Sequence, residues 1–172
     1  YLFGMIDSPL FKTTDCGYTW DQVGTEFRHF DDVYFFDEMH GKAIDLGWIK
    51  TTSDGGINWE LDQYPFYHNL SVFAATPSGK LFGAGYAGCI MEYDPGSQDW
   101  GVKCGGMNLS FLHVHLNDDA TGLILGDEYV LHTDDNGMTW TWQVEPAMYS
   151  PIAACFINPD TGWIMNASLD TR

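Results

Sequence analysis

The octet Thr133-Asp134-Asp135-Asn136-Gly137-Met138-Thr139-Trp140 recurs along this chain of 172 residues, and this recurrence indicates the fold. Residues 13–20 read TTDCGYTW, residues 52–59 read TSDGGINW, and a degenerate copy at residues 93–100 keeps the final tryptophan. The four tryptophans, at positions 20, 59, 100 and 140, are separated by 39, 41 and 40 residues. A period of about 40 residues is typical of β-propellers and other repeat arrays.

Each octet combines residue types that favour a tight turn. Asp and Thr side chains hydrogen-bond to nearby backbone groups, glycine adopts a positive φ at little cost, and the closing tryptophan offers a large apolar surface. We therefore predict that the octet is a structural turn that stabilises the hairpin between two antiparallel strands. We predict neither metal ligands nor catalytic acids among its aspartates. The residues assigned this role are Thr13, Asp15, Gly17, Trp20, Thr52, Asp54, Gly56, Trp59, Trp100, Thr133, Asp135, Gly137 and Trp140.

The rest of each repeat predicts short strands. Apolar runs at residues 33–36, 72–75, 111–114 and 152–155 are expected to form a first strand that is buried on both faces. Second strands are predicted at residues 41–44, 79–82, 122–125 and 162–165, and a third and a fourth strand flank each octet. No stretch keeps a helical apolar period for three turns. Four short strands in each repeat of about 40 residues make one propeller blade.

The pattern Ser/Thr-x-Asp-x-Gly-x-Thr-Trp resembles the Asp-box, also called the bacterial neuraminidase repeat. The segment GWIKTTSDGGINW at residues 47–59 is similar to repeats of the photosystem II assembly-factor family, and related repeats occur in bacterial surface proteins and sortilin-type receptors. The resemblance implies an all-β fold, a β-propeller of four-stranded antiparallel blades with Asp-box hairpins. In that family the motif lies on the outer rim, away from the active face.

The repeats also predict how the chain is divided. Residues 1–28 are expected to be the end of one blade, residues 29–67, 68–107 and 108–147 three blades, and residues 148–172 the start of another. Propellers usually close a ring of four to eight blades. We therefore expect a partial propeller of about four blades that belong to a larger ring.

Composition excludes several classes of partner. The chain has 24 acidic and 7 basic residues, a formal net charge of −17. This charge argues against nucleic acid, whose phosphates require Lys and Arg, and against an anionic membrane surface. No apolar run approaches the length of a membrane span, so membrane insertion is not expected.

Two of the four cysteines flank the degenerate octet at equal distances. If the turn centres between Gly96 and Ser97, then Cys89 and Cys104 lie opposite each other, within reach of a disulfide. Two buried free thiols are the alternative. A bridge would indicate an oxidising compartment, and the chain would be secreted, periplasmic or on the cell surface. Cys16 and Cys155 are expected to be free.

The sequence supports a sialidase, a glycoside hydrolase or a metal site less well than a non-catalytic propeller. Sialidases bind their substrate with three arginines, whereas this chain has only Arg28 and Arg172. A glycoside hydrolase needs two carboxylates beside sugar-binding aromatics, and a metal at the alternating His113 and His115 needs a third ligand. Candidates for the hydrolase are Asp31, Asp32 and Asp45 with Trp48, Tyr64, Phe66, Tyr67, Tyr86 and Trp163.

The sequence therefore predicts a non-catalytic extracellular or surface propeller that engages a protein partner. A carbohydrate-binding or glycoside-hydrolase propeller is the alternative, so a glycan ligand stays possible. No cofactor and no metal are predicted.

Overall fold

The computed structural model describes residues 8–62, 70–104, 109–118, 120–144, 150–158 and 160–166. For Ser8, residues 25–28 and Cys104 it describes the backbone alone. These residues form antiparallel β-sheets with one short 3-10 turn, Tyr86–Gly88. The all-β prediction is confirmed. The chain separates into two compact units, Tyr1–Tyr67 and His68–Arg172.

The first unit contains a hairpin and a four-stranded sheet. The hairpin joins β1 to β2 across the octet at residues 13–20, and the sheet has the order β3-β4-β5-β6. Its last turn, between β5 and β6, is the octet at residues 52–59. The strands are β1 (Ser8–Lys12), β2 (Asp21–Arg28), β3 (Phe30–Phe35), β4 (Gly41–Asp45), β5 (Trp48–Thr52) and β6 (Glu60–Leu61).

The second unit contains two four-stranded sheets and a two-stranded one. Consecutive strands are hydrogen-bonded neighbours in each sheet, as in a propeller blade. The strands are β7 (Leu70–Ala75), β8 (Leu81–Gly85), β9 (Ile90–Asp94), β10 (Asp99–Cys104), β11 (Phe111–Leu116), β12 (Gly122–Gly126), β13 (Tyr129–Thr133), β14 (Thr141–Val144), β15 (Pro151–Asn158) and β16 (Thr161–Asn166). The predicted fold, four-stranded antiparallel propeller blades, is confirmed.

Short polar side chains form the turns between first and second strands. Asp37 Oδ1 accepts hydrogen bonds from the backbone N–H groups of Met39 and His40, both at 2.7 Å. Asp118 Oδ1 accepts from the N–H groups of Ala120 and Thr121 in the equivalent turn of another sheet. Such Asx turns reverse the chain without requiring glycine.

The second strand of each four-stranded sheet is the most buried, which corrects one prediction. All five residues of β8 and of β12 are buried, whereas the first strands β3, β7 and β11 are only partly buried. The expectation that first strands are buried on both faces was wrong. A second strand has a neighbour on each side and packs on both faces, whereas a first strand lies at the edge of its sheet.

The main described core lies between two sheets of the second unit. Phe82, Ala84 and Ile90 from one sheet pack against Val114 and Ile124 of the next, and Phe111 and Leu131 complete the cluster. In the described part of the chain, no helix is long and apolar enough to cross a membrane.

Candidate functional site

The octet at residues 133–140 is closed by its own side chains. Thr133 Oγ1 donates to Asp135 Oδ1 at 3.0 Å and accepts from the Gly137 N–H at 2.9 Å. Asp135 in turn accepts from the Thr139 N–H at 2.8 Å and from Thr139 Oγ1 at 2.5 Å. The two side chains thus hold both halves of the loop between β13 and β14.

The other two complete octets have the same bonds. Gly17 N–H donates to Thr13 Oγ1 at 2.9 Å, and Gly56 N–H donates to Thr52 Oγ1 at 3.0 Å. In the copy at 52–59, Asn58 replaces the second threonine, and its Nδ2 donates to Asp54 Oδ2 at 2.7 Å. The indole Nε1 groups of Trp20 and Trp59 donate to the carbonyls of Gly17 and Gly56.

Hydrogen bonds hold the octet carboxylates in the ionised form. Those from the side chain and the backbone N–H of Thr19 lower the pKa of Asp15 from its ordinary 3.8 to about 2. The pKa values of Asp54 and Asp135 are lowered in the same way, by bonds from Asn58 and Thr139. These oxygens accept bonds within the turn. Among the described residues, no three His, Cys, Asp or Glu side chains are grouped so as to hold a metal ion.

The octet glycine has a second role that the sequence did not indicate. Gly56 and Gly137 have positive φ angles of +92° and +72°, and a Cβ on either would also collide with a side chain of the neighbouring β-sheet. That Cβ would lie 2.9 Å from Leu10 Cδ2 in the first case and 2.5 Å from Phe82 Cε1 in the second. Each of these octets therefore receives an apolar side chain from the adjacent sheet. Only a glycine leaves room for it.

The degenerate octet keeps its tryptophan for packing. Trp100 is 2% exposed and stacks on Phe73, with ring centroids 5.9 Å apart. The turn is closed instead by Asp94, which accepts from the Gly96 N–H at 2.8 Å and from Ser97 Oγ at 3.0 Å. A shorter Asx-type turn thus replaces the octet.

The register near Cys89 and Cys104 differs from the symmetrical pairing predicted. Asp94 pairs with Asp99 and Met91 with Val102, but a bulge then places Cys104 opposite Ile90, one residue after Cys89. The Cys89 side chain is buried, and that of Cys104 lies outside the described residues. The disulfide stays a prediction.

The candidate hydrolase acids have structural partners. Asp32 Oδ1 accepts from the Val33 N–H at 2.8 Å, Asp45 lies 3.7 Å from Lys50 Nζ, and Asp31 lies 3.6 Å from His29 Nδ1. Of the candidate aromatic platforms, Trp48, Tyr86 and Trp163 are exposed. Tyr64, Phe66 and Tyr67 lie outside the described residues.

The two candidate metal-ligating histidines lie on β11. His115 packs against Phe156 in a tilted arrangement, with ring centroids 4.8 Å apart, and burial lowers the pKa of its imidazole. His113 lies opposite Leu125 and His115 opposite Leu123 in the same sheet. This surrounding of apolar side chains indicates packing residues.

Residues other than glycine adopt positive φ angles in the turns between second and third strands, at the end of the third strand that lies away from the octet. Leu46, Ala87 and Glu128 occupy these turns in three sheets with φ angles of 51°, 57° and 63°. Such left-handed conformations are strained for residues other than Gly, Asn and Asp, and strain of this kind clusters at functional sites. Leu46 is also 52% exposed, and Trp48, two residues later, is 40% exposed.

Two solved structures have the same arrangement of strands. The chain matches a structure of YCF48 bound to D1 peptide with a TM-score of 0.69 and 22% identity, covering 92% of this chain and 55% of that one. The fold is that of a β-propeller. The propeller of PorZ, a surface component of the type-IX secretion system of Porphyromonas gingivalis, matches 82% of this chain and 19% of its own with a TM-score of 0.55 and 9% identity.

The expected resemblance to photosystem II assembly-factor propellers is thus confirmed at the level of the fold. The propeller stretch described here spans about half the length of the YCF48 chain that it matches. No protein-family model matches it, and no curated protein does.

Proposed function

We propose that this propeller is a non-catalytic binding module that holds a segment of a partner protein at the turn between β4 and β5. The observation that carries the proposal is Leu46, an apolar residue that is 52% exposed in a left-handed turn. In such a two-residue hairpin turn Asn or Asp followed by Gly is the favoured pair. A leucine there, followed by Gly47, carries the conformational cost of a left-handed turn while about half of its surface faces solvent.

The surroundings of Leu46 define the chemistry of the partner segment. Trp48 offers an exposed aromatic surface on the same turn, and aromatic and aliphatic anchors dominate protein interfaces. Asp45, which also lies 3.7 Å from Lys50 Nζ, directly precedes Leu46. Phe30 pairs with Asp45 across the sheet and is followed by Asp31, which lies 3.6 Å from His29 Nδ1. An apolar side chain beside a lysine or arginine would suit this combination. The net charge of −17 favours approach of a basic segment.

A protein ligand also agrees with one of the fold comparisons. The matching YCF48 structure is described as bound to a D1 peptide, so a propeller of this architecture can bind a peptide.

The test compares a substitution at exposed Leu46, in the turn between β4 and β5, with one at exposed Tyr18, in the octet between β1 and β2. Leu46→Asn removes the apolar side chain but places a favoured residue in the turn, so folding is preserved while binding falls at least tenfold. Tyr18→Ser removes an 89% exposed ring from an octet and serves as the matched control. The probe is a peptide array that contains the D1 peptide and peptides pairing apolar residues with lysine or arginine. Equal binding by the wild type and Leu46→Asn would overturn the proposal.

We further propose that the chain works outside the cytoplasm, being secreted, periplasmic or on the cell surface. The support is the predicted bridge between Cys104 on β10 and Cys89, which directly precedes β9, since disulfides persist in oxidising compartments. PorZ, with a related fold, is described as a surface component. Fractionation of the source cells with an antibody to the chain tests this location. Recovery only from the cytoplasm would contradict it.

A further inference from the structure

The sheet formed by β11, β12, β13 and β14 has a described neighbour on each of its faces. Phe82, Ala84 and Ile90 of the preceding sheet pack on one face, and Ala154 and Phe156 of β15 pack on the other. Propeller blades follow one another face to face around the ring. The outer edge of the fourth strand, β14, therefore does not lie where further blades would be added.

The outer edge of β14 has none of the usual protection against pairing. The strand reads Thr141-Trp142-Gln143-Val144, without a charge or a proline, and all four residues are exposed. Its register with β13 contains no bulge. In the part of the chain that the structure describes, β13 is its only strand neighbour. Unpaired N–H and C=O groups on such an edge favour the addition of another strand.

The fourth strands of the other two four-stranded sheets are protected. β6 has only two residues, one of which is Glu60. β10 carries Asp99 and Lys103, and a bulge interrupts its register between Val102 and Cys104. Short strands, charges and bulges are the devices that block an open edge. The open edge is thus a property of β14 and not of fourth strands in general.

An exposed aromatic pair lies beside this edge. Trp142 pairs with Leu131 and Val144 with Tyr129, so these four side chains share one face of the sheet. Leu131 is 1% exposed, whereas Trp142 and Val144 are 61% and 50% exposed. The rings of Trp142 and Tyr129 have centroids 6.2 Å apart and are inclined at 57°. The packing of the preceding sheet on this face therefore ends before β14.

Acidic residues lie near both ends of the uncharged strand. Asp127 and Glu128 form the turn before β13, and Asp134 and Asp135 directly follow β13. Since β14 is antiparallel to β13, one acidic pair lies near each end of β14. The chain has a formal net charge of −17, so this edge attracts a basic segment and repels a second copy of the chain.

We propose that β14 binds an extended basic segment of a partner protein, which adds to the sheet as a fifth strand. Backbone hydrogen bonds supply affinity, and alternate side chains supply specificity. A lysine or arginine opposite Trp142 stacks on the indole ring, an apolar residue covers Val144, and further basic residues meet the acidic ends. A segment of about seven residues reaches both ends of the four-residue strand. This site lies in the second unit and does not rest on the function proposed for the turn at Leu46.

The test measures binding of a defined peptide to the whole chain. The probe is a fluorescein-labelled heptapeptide with capped ends in which lysine and valine alternate, and fluorescence anisotropy gives its affinity. Trp142→Ala should weaken binding about fivefold or more, because it removes the aromatic contact. Trp163→Ala is the matched control, since Trp163 on β16 is also 61% exposed, and it should bind as the wild type does. Circular dichroism verifies that both variants fold. Equal binding by the two variants would overturn the proposal.

Two altered peptides separate strand addition from simple charge attraction. N-methylation of the three central residues keeps every charge but removes N–H groups from both edges of the peptide, so binding should fall about tenfold or more. Replacement of lysine by glutamate should weaken binding as strongly, and raised sodium chloride should weaken binding of the parent peptide. A methylated peptide that binds as well as its parent would refute a fifth strand, and a glutamate peptide that does so would refute the basic partner.

Two further measurements locate the bound peptide. Hydrogen exchange read by mass spectrometry should slow in residues 141–144 when the peptide is added, and unchanged exchange there contradicts the proposal. Leu46→Asn should leave the affinity for this peptide unchanged, so the two proposed sites stand or fall separately. A loss with Leu46→Asn but not with Trp142→Ala would place the peptide elsewhere. Analytical ultracentrifugation should show the same state for the wild type and Trp142→Ala, and a dimer lost on substitution would make a second copy the occupant and overturn the proposal.

Discussion

Phe82 lies so close to Gly137 that a Cβ on this glycine would come within 2.5 Å of Phe82 Cε1. Gly137→Ala therefore adds a steric collision to the cost of a positive φ. We expect a loss of about 3 kcal/mol in the free energy of unfolding, from left-handed strain of about 1–2 kcal/mol and overpacking of about 1–3 kcal/mol. Urea denaturation measures it. Gly79→Ala is the control, since Gly79 has φ +90° and no described residue comes within 4 Å of a Cβ placed on it. Equal losses of unfolding free energy in Gly137→Ala and Gly79→Ala would show that the collision with Phe82 does not contribute.

Thr133 supplies the hydroxyl that satisfies a buried backbone donor in its octet. Thr133→Val keeps the shape of the side chain but leaves the Gly137 N–H without its acceptor at 2.9 Å. An unsatisfied buried donor costs about 1–3 kcal/mol. Thr13→Val removes the equivalent bond to Gly17, which is exposed, so water can replace the hydroxyl. Chemical denaturation should therefore show a clearly larger loss for Thr133→Val, and a larger loss for Thr13→Val would refute the explanation.

Lys42 and Asp62 form an ion pair inside the first unit. Lys42 Nζ lies 2.5 Å from Asp62 Oδ2 and donates to Thr51 Oγ1 at 2.8 Å, and the lysine side chain is only 5% exposed. Lys42→Met should lower the free energy of unfolding by about 3 kcal/mol, because it leaves Asp62 without its cation. The double variant Lys42→Met with Asp62→Leu should recover much of this loss. Thermal unfolding of both variants checks the prediction, which fails if the double variant is the less stable.

The octet aspartates predict how stability depends on pH. The pKa of folded Asp15 is about 2, and those of Asp54 and Asp135 are also below the ordinary 3.8. A depressed pKa in the folded chain means that the stabilisation is complete above the unfolded pKa and is lost as the pH falls through the folded one. The urea midpoint should thus be steady near pH 6 and fall between about pH 4 and about pH 2. Asp135→Asn should fall less steeply over this range, and a midpoint that rises on acidification would contradict the assignment.

We predict a disulfide bond between Cys89 and Cys104. Peptide mapping of the unreduced chain by mass spectrometry should find the two residues in one linked peptide. Exposed Cys16 and Cys155 should react with iodoacetamide without denaturant and serve as internal controls. Alkylation of Cys89 and Cys104 in the unfolded, unreduced chain would show that both are thiols.

The repeat pattern predicted much of the fold because it depends on local chemistry. Thr, Asp and Gly at fixed spacing form a turn through bonds within eight residues, and the apolar runs between turns are long enough for one strand each. The strands and their order in the sheets follow from this. The burial predicted for the first strands was wrong, since burial depends on which strand lies in the middle of a sheet.

Contacts between sheets were not visible in the sequence. Gly56 and Gly137 fit the pattern as turn residues, and nothing local shows that Leu10 and Phe82 press against them. The bulge that sets Cys104 opposite Ile90 also escapes a symmetrical count of residues. Leu46 belongs to no sequence motif that would indicate a binding residue. Only its φ of 51° and its exposure identify it as a candidate contact for a partner.

The architecture of a blade can be read from the residues, because a turn and its flanking strands are specified by hydrogen bonds and side-chain periodicity over a few positions. Which faces of neighbouring sheets meet became visible only in the three-dimensional arrangement of the described residues. These contacts depend on shape and volume shared by residues distant in the chain, such as Phe82 and Gly137, and no short segment carries that information.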